Sequence, residues 1–267
     1  MMGIRGLVLV ALLACGALAP GAGARAEDWN ATVGARIRIK PPYEGAASHI
    51  VGLIPVLVIR PADHPYRFTP PDGAAALALV DTRLVVAGPV IRFRGSRGDD
   101  GVFAGLTRIP VATEPGLFVA LWPTPWLRAR IETRRGISGH RGWVEDLGVD
   151  LVHTGDMARG DRWDGSVGLR AGYGDAHYMG TYFGVTPAEA LVRLPRGGAY
   201  VPGAGLRYTG AAAAAAYHLD KRWTVNLDLT YNHLGSKALA SPVVRTVGAS
   251  EQVAVGMGVT YNFGFRL

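Results

Sequence analysis

The chain has 267 residues, a formal net charge of +7, 37 glycines and a single cysteine, Cys15. The length suits one large β-barrel or two small domains. The dispersed basic residues argue against nucleic-acid binding, and one cysteine excludes a disulfide framework.

Arg5 precedes an uninterrupted apolar run over 7–19, and Ala24-Arg25-Ala26 forms a small-x-small site before Glu27. This predicts a secretory signal peptide over 1–26 and a mature chain of 27–267. Without Arg5 and Arg25 the net charge falls from +7 to about +5. A rival reading takes Leu12-Leu13-Ala14-Cys15 as a lipobox, with Cys15 as a lipid-carrying N-terminus. Either route exports the protein.

Val33, Ala35, Ile37 and Ile39 alternate with Gly34, Arg36, Arg38 and Lys40, a strand with one cationic face. Residues 41–45 break it. The stretch 50–60 is apolar on both faces and contains Pro55, which predicts a distorted or bulged strand. Pro61, Pro65, Pro70 and Pro71 make 61–73 a loop-rich connection, with a short strand around Tyr66 and Phe68. A weak strand is expected over 75–81. Val85, Ala87, Pro89, Ile91 and Phe93 then alternate with Gly88, Val90, Arg92 and Arg94, and 95–101 is a polar turn. Strands are expected over 102–109 and 117–121. Residues 122–126 read as a turn whose Trp122 and Trp126 suit a membrane-interface girdle.

Leu127, Ala129, Ile131 and Thr133 alternate with Arg128, Arg130, Glu132 and Arg134, and 136–142 turns the chain. Leu147, Val149 and Leu151 oppose Gly148 and Asp150. Trp163, Val167, Leu169, Ala171 and Tyr173 oppose Asp164, Ser166, Gly168, Arg170 and Gly172. The pattern stops over 175–190. There Thr186, Pro187 and Glu189 form a capping box that predicts one short helix near 187–193, ended by Pro195 and Gly197-Gly198. The alanine run 211–216 is compatible with helix, but its regular neighbours favour a strand over 206–219. Trp223, Val225, Leu227, Leu229 and Tyr231 oppose Thr224, Asn226, Asp228, Thr230 and Asn232, and 232–250 reads as a loop.

The last segment, 253–267, holds a period of two throughout. Val253, Val255, Met257, Val259, Tyr261, Phe263, Phe265 and Leu267 share one face, and small or polar residues take the other. It exceeds an ordinary strand of about 5–6 residues and fits a bilayer-crossing strand of about 9–11 residues with an extension. A soluble all-β domain is the alternative. About twelve strands (range 10–12) at near-even spacing predict an all-β fold: a closed, antiparallel, up-and-down transmembrane β-barrel. Closure removes exposed edges.

The seven histidines are scattered singly, without metal spacing, and no nucleophile lies beside a base. No enzyme activity, metal or cofactor is therefore expected. His177, with Asp175 and Tyr178, reads as a tether for the loop near Thr186. If the apolar phase faces lipid, Arg36, Arg38, Lys40, Arg92, Arg94, Arg128, Arg130, Arg134, Arg170 and Arg207 point inward with Glu132, Asp150, Asp164 and Asp228. Such a lumen either passes or holds anions, or is filled by arginine–carboxylate networks that stiffen the barrel.

The run Tyr178-Met179-Gly180-Thr181-Tyr182-Phe183-Gly184-Val185-Thr186-Pro187 resembles the hallmark of the MltA-interacting protein/OmpV family of Gram-negative outer-membrane proteins. Further pieces agree in order: Tyr43-Glu44-Gly45, Gly88-Pro89 leading to Arg92 and Arg94, and Ser241-Pro242-Val243-Val244-Arg245 with Gly248, Ser250 and Gln252. The proline-rich stretch 61–71 departs from a tidy hairpin. The resemblance implies an outer-membrane barrel inserted into lipid by the barrel-assembly machinery. It also implies a scaffold role towards murein hydrolases and synthases. A small anion-leaning channel is the alternative.

Overall fold

The computed structural model describes residues 28–266 except 65, 100 and 194–197. The expectations for the signal peptide over 1–26, for Cys15, for Leu267 and for a helix stop at Pro195 lie outside them.

Twelve strands form one antiparallel sheet. They are β1 (Asp28–Lys40), β2 (Ile50–Pro61), β3 (Ala75–Ala76), β4 (Val80–Asp81), β5 (Val85–Arg94), β6 (Ala112–Thr124), β7 (Leu127–Arg135), β8 (Trp143–His153), β9 (Trp163–Gly174), β10 (Gly205–His218), β11 (Trp223–Leu234) and β12 (Glu251–Arg266). Sequence neighbours are spatial neighbours, and β1 pairs with β12, so the meander curls round on itself. One end of the sheet carries Asp28, Arg266 and short turns. The other carries long connections with four short helices: α1 (Ala176–Phe183), α2 (Pro187–Arg193), α3 (Ser236–Leu239) and α4 (Pro242–Val247).

The period-two reading fixes which face is which. On β1, Ile37 and Ile39 are 54% and 48% exposed while Arg36 and Arg38 are buried. On β12, Val253, Val255, Met257 and Val259 face out, and Ala254, Gly256, Gly258 and Thr260 face in. The small face has a steric cause. A Cβ on Gly256 would lie 2.3 Å from the Asp228 carboxylate, and one on Gly258 would lie 2.3 Å from Arg36 Cγ. The alanine run is a strand for a related reason. Ala212, Ala214 and Ala216 point inward and leave room for Phe68 and Trp122.

Several expectations change. The ladder between β1 and β2 keeps one register across Pro55, with no bulge. β2 is an edge strand, where proline need forfeit no ladder bond. Trp122 is not part of a girdle: it faces inward, buried against Phe68 and Val152, while Trp126 is exposed at the short-turn end. Residues 102–109 form no named strand. A 3-10 turn over Gly101–Phe103 leads to a single bridge between Ile109 and Arg97. The loop expected over 232–250 folds as the end of β11 followed by α3 and α4. α1 was not expected, because eight residues interrupted by Gly180 and Thr181 are too few to show a helical period.

The weak strand over 75–81 forms as β3 and β4, two pieces on one side of β5. Among the described residues no ladder joins them to β2. The chain between, 62–74, turns into the lumen. There Tyr66 donates to Asp164 at 2.7 Å, and Asp72 receives Arg170 at 2.6 and 3.1 Å.

Candidate functional site

The interior of the sheet carries the polar chemistry, in three levels. Nearest the long loops, Glu114 of β6 accepts from Arg94 of β5, from Arg134 of β7 at 3.2 Å and pairs with His140 at 2.9 Å. Arg134 also reaches Glu132 and Asp146, and Arg207 of β10 reaches Asp146. Glu44, from the β1–β2 connection, takes Arg94 at 2.9 Å, Arg207 and the Tyr178 hydroxyl at 3.0 Å.

At mid-height, Asp150 holds Arg128 and Arg170, each at 2.7 Å. Glu132 also takes Arg130 at 2.8 Å and Arg92 at 3.5 Å. Asp228 faces Arg38 at 3.2 Å and Arg36 at 3.8 Å. Near the short turns, Asp164 accepts from Tyr66, pairs with His218 at 2.8 Å and accepts the Gly155 amide at 2.8 Å. The strand charges at these positions are buried or half-buried, on the face opposite the exposed apolar one.

The segment 62–74 is the element that sequence reasoning misjudged. It rises from the short-turn end to mid-height inside the lumen. Phe68 packs on Trp122 and Val152, the Pro71 carbonyl accepts from Arg36 at 3.0 Å, and the Ala74 amide donates to Glu132 at 3.1 Å. Its Asp72 and the loop residue Glu44 supply negative charge that the strand alternation alone does not provide. Asp146 and Glu114 also went unnamed. They lie one and three positions before the outward Leu147 and Leu117, and an odd offset in a strand places both inward. No comparable signal marked Asp72.

Each level holds side chains that are sealed from water. Tyr178, Arg207 and Asp150 are 0% exposed and Asp164 is 1% exposed. Arg134 and Glu114 are likewise fully buried. Charges out of water persist only when paired and hydrogen-bonded, and these form continuous chains of carboxylate and guanidinium. The arrangement can stiffen the barrel. Its His140–Glu114 contact is sealed under α1. Among the described residues no group of three or more His, Cys, Asp or Glu could hold a metal ion.

The motif residues gather in one place, a cap over the long-loop end. Tyr178, Met179, Tyr182 and Phe183 pack with Tyr43, Leu234 and Val244 in one buried cluster. Asp175 caps α1 by accepting from the Tyr178 amide at 2.8 Å. His177 is exposed and its carbonyl receives Thr181, so the three residues do not tether the chain at Thr186. The buried Ser241 hydroxyl donates to the Phe183 carbonyl at 2.6 Å, and Pro242 opens α4. Arg245 points to solvent. Gln252 accepts the Gly45 amide at 3.2 Å and donates to the Ala46 carbonyl at 3.2 Å.

Gly184 ends α1, and Val185 bridges to Tyr200. Beyond them the capping box forms as expected: the Thr186 amide donates to Glu189 at 2.8 Å, and the Glu189 amide donates to Thr186 Oγ1 at 3.3 Å. Partial burial raises the Glu189 carboxyl. Hydrogen bonds from Thr186 and from the Thr107 amide outweigh it and hold the group down at about 2. Burial, partly opposed by Arg97, pushes Tyr43 up to about 12.

Residues 33–263 match the family described as MltA-interacting protein MipA. The chain belongs to that family. It is accordingly a β-barrel protein of the Gram-negative outer membrane. Among solved structures it is similar to an outer-membrane channel from Pseudomonas putida F1, at 11% identity and a TM-score of 0.41, covering 92% of this chain and 100% of that one. It is also similar to the NanC porin, at 11% identity and a TM-score of 0.38, over 88% of this chain and 98% of that one. A third is the Neisserial surface protein A, at 9% identity and a TM-score of 0.26, over 88% and 97% of the two chains. No curated protein matches the chain.

Proposed function

We propose that this protein is a non-enzymatic docking platform for murein hydrolases and synthases, held in the outer membrane by its barrel. The observation that carries the reading is the crowded interior. Ion pairs and the chain's own segment 62–74 occupy the lumen and are largely buried, which favours the ends of the barrel as the place of function. The family description, which names an interaction with MltA, supports it. In outer-membrane barrels the short turns face the periplasm. That rule directs the end bearing Arg83, Trp126, Arg159 and Lys221, all exposed, towards the murein. The motif-bearing cap then faces outward and serves to seal the barrel.

The test is affinity capture of the tagged protein from gently solubilised membranes, with and without replacement of the turn 154–162 by a two-residue Asn-Gly hairpin. The reading expects a lytic transglycosylase or murein synthase to be retained, and to be lost with the turn. Capture of neither class would overturn it.

A further inference from the structure

The break in the wall follows from strand direction. β2 runs from the long-loop end to the short-turn end, and β3 and β4 on the far side of the break run the same way. A strand set between them would have to run the opposite way to join both antiparallel. The chain's own segment with that direction is 62–74, and it lies inside, held by Asp72 and Tyr66. Its prolines at 65, 70 and 71 would forfeit ladder bonds in a central strand. A second copy in the same membrane orientation presents β2 running in the same direction, so it offers no antiparallel partner either.

The lining of the seam is amphiphilic. On the outer side of β2, Val51 and Leu53 are each 71% exposed. On the inner side Gly52, Ile54 and Val56 are only partly covered and Val58 is 50% exposed. The inner stretch from Gly52 to Val58 spans about 20 Å, comparable with one leaflet of a hydrocarbon core about 30 Å thick. At its upper end Lys40 points inward from β1, next to Ile50. Lys40 lies within reach of the charges of Arg38, Arg92 and Arg94, and has no carboxylate partner among the described residues. The Nε atoms of Arg36 and Arg92 are buried without a hydrogen-bond partner.

We propose that this seam binds one anionic lipid of the surrounding membrane. Its head group sits on Lys40 and Arg92, and one acyl chain lies along the inner face of β2 past Gly52, Ile54, Val56 and Val58. The lipid's ester oxygens can accept only from N–H groups near the upper end of the open β2 edge, and the acyl chain covers the apolar remainder. This site is separate from the docking reading and stands without it.

The test is native mass spectrometry of the full mature protein in detergent, titrated with phosphatidylglycerol, with phosphatidylcholine and with glycerol phosphate. Phosphatidylglycerol is expected to remain at one per barrel where phosphatidylcholine is lost, with no competition from glycerol phosphate. Lys40→Ala breaks no ion pair and should weaken retention about tenfold, the loss of one charge-assisted contact. Gly52→Phe should abolish it. A Cβ there meets nothing closer than the Arg38 carbonyl at 3.9 Å, so the backbone accepts a side chain that would project into the seam. Folding of both variants is checked by the heat-dependent shift of the barrel on a denaturing gel. Equal retention of the two lipids, displacement by glycerol phosphate, or unchanged retention in both folded variants would overturn the proposal.

Discussion

Asp72→Ala tests whether the segment 62–74 is a fixed part of the lumen. The substitution removes both hydrogen bonds to Arg170, at 2.6 and 3.1 Å. Breaking one side of a buried ion pair costs about 3–5 kcal/mol. Arg170 keeps Asp150 at 2.7 Å, so its charge is not orphaned. The expected cost therefore sits lower, at about 2–3 kcal/mol, near the strength of hydrogen bonds to a charged group. Tyr66 on Asp164 and Phe68 on Trp122 hold the lower half in place, and the upper half keeps only the backbone contacts of Pro71 with Arg36, of Asp72 with Arg92 and of Ala74 with Glu132. The loss should then appear first as local opening. Hydrogen exchange of residues 69–74 and urea unfolding in lipid vesicles, followed by tryptophan fluorescence, report the two scales separately. Unchanged exchange together with a stability within about 0.5 kcal/mol of wild type would refute an anchored plug.

Glu114→Ala should cost about 3–5 kcal/mol in the same unfolding assay, because it strips Arg94, Arg134 and His140 of a shared, fully buried partner. Asp161→Ala, which breaks an exposed contact to His153, should leave the unfolding midpoint unchanged; equal effects would mean that the lumen is wet. Gly45→Ala should lower cap stability by about 1–3 kcal/mol, since Gly45 has a φ of +90° and its Cβ would press on Val244 and Phe183. Proteolysis rates of the loops would reveal it. For Glu189 the folded carboxyl titrates below its unfolded value, so its contribution is present above about 4.5 and is lost as pH falls towards about 2. Amide exchange at Thr107 and Thr186 should rise across that window in wild type, and should be raised and flat in Glu189→Gln.

Wherever a strand has one face on lipid and one on the lumen, the alternation of single residues announced the fold. Ile37 and Arg36, or Leu169 and Arg170, are sorted by the pleat alone. The inward charges were legible for the same reason. What escaped was held by contacts between distant segments. Pro55 looked disruptive only because its edge position was not visible along the chain. Trp122 sits in phase with Phe118 and Ala120, and only the packing of Phe68 against it reveals an inward role. The cap is assembled from short pieces near residues 45, 180 and 242, each too brief to carry a period of its own. The motif pieces lay far apart in sequence, and their convergence on Tyr178 and Ser241 belongs to the fold.

The most direct test of a plugged lumen is electrical. The mature protein, refolded and inserted into a planar bilayer, should give no conductance steps, because buried ion pairs and the segment 62–74 occupy the lumen. Steady, anion-selective steps from the inserted wild-type protein would contradict the account and make the inward arginines the lining of a channel.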